Sequence, residues 1–345
     1  MRKSLFVIVC LLVLGNSMAQ AQDKRIGMYA VGFYNLENLF DTQHDEGKND
    51  YEYLPDGANK WGELKYSHKL KNMSRVLAEM GTDRLRTGCA IIGVSEVENA
   101  HCLTDLCAQE PLAKRGFKFC HIEGPDRRGV DCALLYNPTF FKPSKVWLQP
   151  YVLKDKDDRP TRGFLTVQGQ LAGENVTVIV CHWPSRFTGK SARVWAGQQV
   201  KAEVDSIMKA SPSMKVLVMG DMNDDPFDES MSQGLRARRK MADVKNGDMF
   251  NPWWQILLDG HGTLSYQGGW NLFDQIVMSQ NLLDVNKKKS YETLTFFKAE
   301  IFRRDYLLQS EGKYKGSPKR THAGGVWLDG YSDHLPVVTY FVRRM

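Results

Sequence analysis

Apolar residues in this chain gather into short unbroken runs. Residues 216–219 (Val-Leu-Val-Met), 90–94 (Ala-Ile-Ile-Gly-Val), 131–136, 163–167 and 176–181 are each bounded by turn-forming residues. Runs this short predict strands buried on both faces. Residues 28–33, 275–279 and 337–342 extend the set. A period near that of a helix emerges twice. Leu70, Met73, Leu77 and Met80 share one face behind Ser67, and Val194, Val200, Val204, Ile207 and Met208 follow Ser191. Each serine is the expected N-cap. Shorter helical stretches are expected near 103–112, 227–235 and 251–258, with Trp253 and Trp254 on the core face of the last. Residues 41–66 read as a long polar loop. Strands and helices mix without strict βαβ alternation, and no repeat or linker intervenes. The expectation is one α+β domain over residues 22–345, with packed sheets and outer helices.

The amino terminus reads differently. Arg2 and Lys3 precede an apolar stretch from Leu5 to Leu14, and Ala19-Gln20-Ala21 follows. This is the pattern of a secretory signal peptide, expected over residues 1–21, so the protein is expected to be exported to the periplasm or secreted. The stretch is too short to span a bilayer, and no integral membrane segment is expected. The formal charge is +6, and loss of Arg2 and Lys3 leaves +4, because residues 1–21 hold no Asp or Glu. A mildly basic exported protein suits a polyanionic substrate without requiring one. Lys287 to Lys289, Arg303-Arg304 and residues 313–320 are basic clusters able to flank phosphates. The cysteines at 89, 102, 107, 120, 132 and 181 show no metal-ligand spacing. Export would permit disulfides, but no pairing is assignable, and Cys132 and Cys181 read as small core residues.

Chemistry concentrates where strands stop. The run 216–219 ends in Gly220-Asp221-Met222-Asn223, and Asn35, Glu96, His182, Asp274 and Asp333-His334 also sit in or just after apolar runs. Each alone has a structural reading: a turn, a helix start, a satisfied core histidine, an N-cap. Together they are side chains that packed sheets deliver to a common rim. Oxygen donors without cysteine suit a hard cation, Mg²⁺, with Mn²⁺ and Ca²⁺ as alternatives. Histidines beside carboxylates suit proton transfer. Other hydrolase and transferase patterns are missing: the chain has no G-x-S-x-G, no P-loop and no H-E-x-x-H.

The ordered segments FYNLEN, GVSEVEN, CHWPSR, GDMND, FDQIVMS and YSDHLPV resemble the motifs of the endonuclease/exonuclease/phosphatase superfamily. That group includes pancreatic deoxyribonuclease, the apurinic endonucleases, sphingomyelinases and inositol-polyphosphate phosphatases. The resemblance spans about residues 28–342. It implies a four-layer α/β sandwich, two facing mixed β-sheets with outer helices. By the same resemblance Glu96 is the principal metal ligand, with Asn35 beside it and Asp333 a further ligand. Asp221 handles a proton or a second metal, and Asn223 bonds the phosphate. His334 contacts the scissile phosphate, Asp274 orients its ring, and His182 serves acid–base chemistry. Arg128, with Arg127 an equal claimant, and Arg186 are phosphate clamps, and Asn271 lines the substrate cleft. Trp270 reads as packing its loop. CHWPSR departs from the apurinic endonucleases, and the tail is similar to exported bacterial members. The implied activity is metal-dependent phosphodiester hydrolysis of DNA or RNA, with no stable protein partner. The alternative substrates are lipid head groups or small phosphate esters.

Overall fold

The computed structural model describes residues 25–153 and 160–345. The expected signal segment lies outside the described residues. In chain order the strands begin β1 (Ile26–Leu39), β2 (Cys89–Val97), β3 (Lys118–His121), β4 (Asp131–Tyr136) and β5 (Phe141–Gln149). Next come β6 (Phe164–Leu171), β7 (Glu174–His182), β8 (Lys215–Asp221), β9 (Ala237–Arg238) and β10 (Met249–Phe250). The remainder are β11 (Leu264–Tyr266), β12 (Gly269–Asn271), β13 (Asp274–Ser279), β14 (Thr295–Ile301), β15 (His322–Ala323), β16 (Val326–Trp327) and β17 (Val337–Arg344). The helices are α1 (Glu63–Glu79), α2 (Ala100–Ala108), α3 (Glu110–Ala113), α4 (Lys190–Ala210) and α5 (Trp253–Leu258). One sheet has the order β14-β17-β1-β2-β4-β3, the other β5-β6-β7-β8-β13-β10-β9. Both are mixed. β1 and β2 run parallel, as do β7 and β8, between antiparallel neighbours.

Strand alternation sorts the apolar runs into layers. Along β8, Leu217 and Met219 face the other sheet, while Val216 and Val218 face α4. Phe33, Ile91, Leu134 and Ile276 complete the layer between the sheets. Outside the first sheet, Ile92 and Val94 pack on Leu70, Met73 and Leu77 of α1 and Leu103 of α2. Outside the second, Val200 and Val204 of α4 pack on Ile179 and Val218. Each such side chain contributes roughly 1.5–3 kcal/mol. The expected four-layer sandwich is therefore present. Among the described residues no helix is long and apolar enough to cross a membrane.

Several local expectations change. Helix α1 starts at Glu63, a turn before Ser67, whose hydroxyl instead donates to Leu64 O. Tyr66 is buried and extends the apolar face back by one turn, so packing overrides the capping signal. Helix α4 likewise starts at Lys190, after Gly189 at φ +90°, with Ser191 inside. The stretch 103–112 divides at Gln109 into α2 and α3, with Pro111 in the first turn of α3, and the Asn99 side chain caps α2 by accepting from Cys102 N at 3.0 Å. Near 227–235 there is one short turn, Ser230–Gly234. Trp253 is buried with Nε1 donating to Ile276 O, whereas Trp254 is half-buried. All six described cysteines are free thiols. Cys132 and Cys181 are buried as expected.

Candidate active site

Strand register assembles the site. His182 and Asp221 are paired at the ends of parallel β7 and β8, and Asp274 pairs with Asp221 from antiparallel β13. Asn35 pairs with Ser95 just before the β1–β2 register shifts. The β2–β4 register shifts between Ser95 and Val97, and the intervening Glu96 takes φ +59°. A bulge in a left-handed conformation turns this side chain out of the strand, a strain that strands tolerate where a functional group is aimed. His334 forms an isolated bridge with Leu264, which fastens the 332–336 segment beside β11.

These ends converge. Asn35 Nδ2 donates to Asp221 Oδ2 at 3.0 Å and to Glu96 Oε1 at 3.3 Å. Asn38 N donates to the other oxygen, Glu96 Oε2, at 3.1 Å. His182 Nε2 faces both carboxylates, 3.7 Å from Glu96 Oε1 and 3.6 Å from Asp221 Oδ2. His334 Nδ1 lies 2.7 Å from Asp274 Oδ2, and its Nε2 faces Asp221 at 3.8 Å and Asp333 Oδ1 at 3.9 Å. Asn223 (φ +50°) donates from its backbone N to Asp221 Oδ1 at 2.9 Å and from Nδ2 to Trp183 O at 3.0 Å. The groups open into a cleft of about 690 Å³ that Asn49, Arg127, Arg128 and Asp333 also line.

Burial and charge set the protonation states. Burial pushes Asp221 up to about 7, against the pull of the His334 charge. Burial would lower His334, but Asp274 and Asp221 outweigh it and hold the imidazolium well above its ordinary range. Burial, reinforced by the charges of Arg162 and Arg128, holds His182 well below its ordinary range, so this ring is neutral. One histidine is thus a cationic donor, the other a neutral base.

Glu96 Oε1, His182 Nε2 and Asp221 Oδ2 all lie within 4.8 Å of one another. Two carboxylate oxygens and a neutral imidazole fit a divalent cation, which would also compensate the crowded negative charge. His182 therefore joins the candidate ligands, a place the sequence reading did not give it. Asp41, Glu98 and Cys102 form a second such group, but Asp41 N already occupies Glu98 Oε2, and His101 and Asn99 occupy Asp41.

Two expected substrate contacts do not line the cleft. Arg186 reaches carboxylates of Asp225 at 3.0 Å and Asp228 at 3.2 Å, with its guanidinium 4.5 Å over the Phe273 ring. Asn271 Nδ2 donates to Asp225 Oδ2 at 2.8 Å. The acidic run Asp224-Asp225-x-x-Asp228 absorbs both, so they brace the loop behind Asn223. Arg128 does line the cleft, as does Arg127. Trp270 packs as expected, under the Arg303 guanidinium at 5.3 Å.

Other contributors lay outside the sequence reading. Buried Arg162 donates to His182 O, Trp183 O and Asp126 Oδ2, fixing the backbone that carries His182. Arg320 donates to Glu37 Oε1 and Asp333 Oδ2, each at 3.0 Å, which orients Asp333. Buried Lys69 donates to Thr321 Oγ1 and Tyr331 O beneath them. Burial raises Glu37 to about 7 and lowers Lys69 to about 8. An arginine or lysine that works by holding backbone carbonyls leaves no spacing to read.

These shifts have a consequence for stability. Asp221 and Glu37 titrate near 7, and Glu98, raised by burial, near 8. Unfolded carboxyls titrate near pH 4, and unfolded His near 6.5. Above pH 6.5 the native state, including the imidazolium of His334, holds protons that the unfolded chain has released. Cation-free stability therefore falls as pH rises from about 6.5 to 8. Lys69 acts in the opposite sense only above about 8. In chelator the thermal midpoint is expected to drop by about 3 °C or more across this window. A midpoint that rises would contradict the assignment.

The two-sheet sandwich thus presents carboxylates, amides and histidines at its strand ends. The chain belongs to the endonuclease/exonuclease/phosphatase family, whose model matches residues 30–343. Among curated proteins no sequence matches it. Solved structures share the fold. An endonuclease/exonuclease/phosphatase family protein from Bacteroides thetaiotaomicron has 15% identity and TM-score 0.54 over 93% of this chain and 97% of its own. A mannosyl-6-phosphatase from the same organism has 15% identity and TM-score 0.53 over 91% and 99%. D. rerio TDP2, complexed with single-strand DNA product, has 14% identity and TM-score 0.52 over 91% and 98%. The enzyme class is thus a phosphoester hydrolase.

Proposed function

We propose that the protein is an exported, divalent-cation-dependent nuclease that hydrolyses phosphodiester bonds of DNA or RNA. The observation that carries this reading is the meeting of Glu96, Asp221, His182 and His334 in one cleft that Arg127 and Arg128 also line. Mg²⁺ is the proposed ion, held by Glu96 and Asp221 with His182 or Asp333, and Asn35 fixes both carboxylates. When bound, it supplies charge neutralisation at the phosphate. The side chains do the rest. Imidazolium His334, fixed by Asp274, donates from Nε2 to a phosphate oxygen. Asn223 and Arg128 orient the phosphate. Where Asp333 completes the ligand set, neutral His182 is left to accept the proton of the attacking water.

The TDP2 complex with single-strand DNA and the arginines in the cleft support a polynucleotide substrate. The mannosyl-6-phosphatase neighbour supports a second reading, a small phosphate ester or lipid head group. The amino-terminal pattern supports export to the periplasm or beyond. Plasmid DNA, RNA, sphingomyelin, mannose 6-phosphate and bis-p-nitrophenyl phosphate, assayed with Mg²⁺, separate the readings. The nuclease reading expects DNA or RNA to turn over fastest. Preferred turnover of mannose 6-phosphate or sphingomyelin would replace it.

A further inference from the structure

The cleft lining combines charged and uncharged side chains. The ionisable groups are those described above. The uncharged ones include Tyr151, Pro184, Thr188 and Ala192. The Tyr151 hydroxyl donates to Ala192 O at 3.1 Å and its ring meets Phe164 edge-on at 6.1 Å, so this ring is held in place.

Phe187 lies on the segment that carries Ser185 and Thr188 into the cleft lining. Its side chain is 104% exposed, on the short turn Arg186–Thr188, between the cleft-lining residues Ser185 and Thr188. The turn is pinned from several sides. Arg186 holds Asp225 and Asp228 and donates to Asn223 O at 3.3 Å. Arg193 Nη1 donates to Ser185 O and Gly189 O, at 2.9 and 3.2 Å. Thr188 N donates to Ser185 O at 3.0 Å. Single exposed apolar side chains are ordinary on protein surfaces. This one is distinguished by its place. It is a bare aromatic ring on a fixed backbone, at the edge of the reaction cleft and tied through Arg186 to Asn223.

We infer that Phe187 and Tyr151 form a ring-binding subsite that takes an unpaired nucleobase next to the scissile phosphate. The inference rests on the nuclease reading and narrows its substrate to single-stranded polynucleotide. A base offers a π-face that stacks on an aromatic side chain whatever its hydrogen-bonding edge. A duplex keeps its bases stacked inside and offers no such face without extrusion. The pinned turn presents Phe187 ready for contact, so little ordering accompanies binding.

The test uses the full protein with Mg²⁺ and three oligonucleotides: single-stranded thymidine, the same backbone with tetrahydrofuran residues in place of the nucleosides, and a blunt duplex. Wild type is expected to prefer the thymidine strand over the base-free one by roughly 5- to 150-fold in kcat/KM, the range for one stacked base. Phe187→Ala is expected to raise KM for the thymidine strand by roughly 5-fold or more, with kcat nearly unchanged, and to erase most of the preference. Phe187→Trp is expected to restore it. Because Phe187 is fully exposed, unchanged thermal midpoints are expected for both variants. Cleavage of the thymidine strand with the same KM in wild type and Phe187→Ala would overturn this inference and leave the nuclease reading standing. Faster cleavage of the duplex than of the single strand would do the same. No cleavage of any oligonucleotide would remove both.

Discussion

Chelation with excess EDTA is expected to bring phosphodiester hydrolysis to background, and added Mg²⁺ or Mn²⁺ to restore it. The loss should be ~10³-fold or greater, because the ion supplies both charge neutralisation and activation of water. The physical reason lies in the carboxylates. Glu96 and Asp221 converge on one Asn35 amide, with Oδ2 of a buried Asp221 at 3.0 Å. Burial already raises Asp221 to about 7. Without a cation Asp221 resists full ionisation at the pH where it must act. With one, both carboxylates are ionised and His182 is neutral, the state in which all three can be ligands. The same logic makes the cation requirement steeper at lower pH, since protons compete for Asp221. Full activity in excess chelator would contradict this account.

His334→Ala is expected to lower kcat by at least ~10²-fold with little change in secondary structure, the scale for a charge-stabilising donor. The ring is buried among carboxylates, bonded to Asp274 at 2.7 Å, and its Nε2 faces the cleft. Asp274→Asn should also lower kcat, because an amide neither sustains the imidazolium nor favours one ring orientation. The double variant should fall little below His334→Ala alone, since Asp274 acts through the ring. Additive losses would mean that the two do not form a working pair.

Much of this site could be read from the chain because its residues end strands. A buried strand is a conspicuous apolar run, and its last residue is where polarity resumes. Asp221, His182 and Asp274 lie at paired register positions for that reason, and register is what turns a scattered list into a cluster. Glu96 needed more than register, because a bulge with φ +59° turns it out, and no residue pattern announced the bulge. Among the strands that escaped notice, β3, β5 and β14 lie at sheet edges. Their mixed, half-exposed sequences, such as KFCH and TFFKAEI, lack an apolar run. The misplaced helix starts share another cause: Ser67 and Ser191 are good caps locally, but burial of Tyr66 extends the packed face of α1 past the first.

Arginines were the least legible. Arg186 follows a motif that invited a phosphate role, yet Asp225 and Asp228 hold it. The acidic run downstream was the available signal. Arg162 and Arg320 act by orienting the His182 backbone and Asp333; Arg162 belongs to no recognisable pattern, and Arg320 was legible only as the end of the basic cluster 313–320. Such bracing is decided by three-dimensional proximity between segments remote in sequence, with 283 positions separating Arg320 from Glu37.

Calorimetric titration of Mn²⁺ into chelator-treated wild type and Glu96→Gln protein tests the cation directly, without reference to substrate. The account predicts saturable binding to wild type that weakens as pH drops below about 7, where Asp221 takes up its proton. It also predicts affinity lowered by roughly 10-fold or more in Glu96→Gln, the magnitude typical of losses at a metal site. Equal affinity in the two proteins, or no saturable binding to wild type, would contradict it.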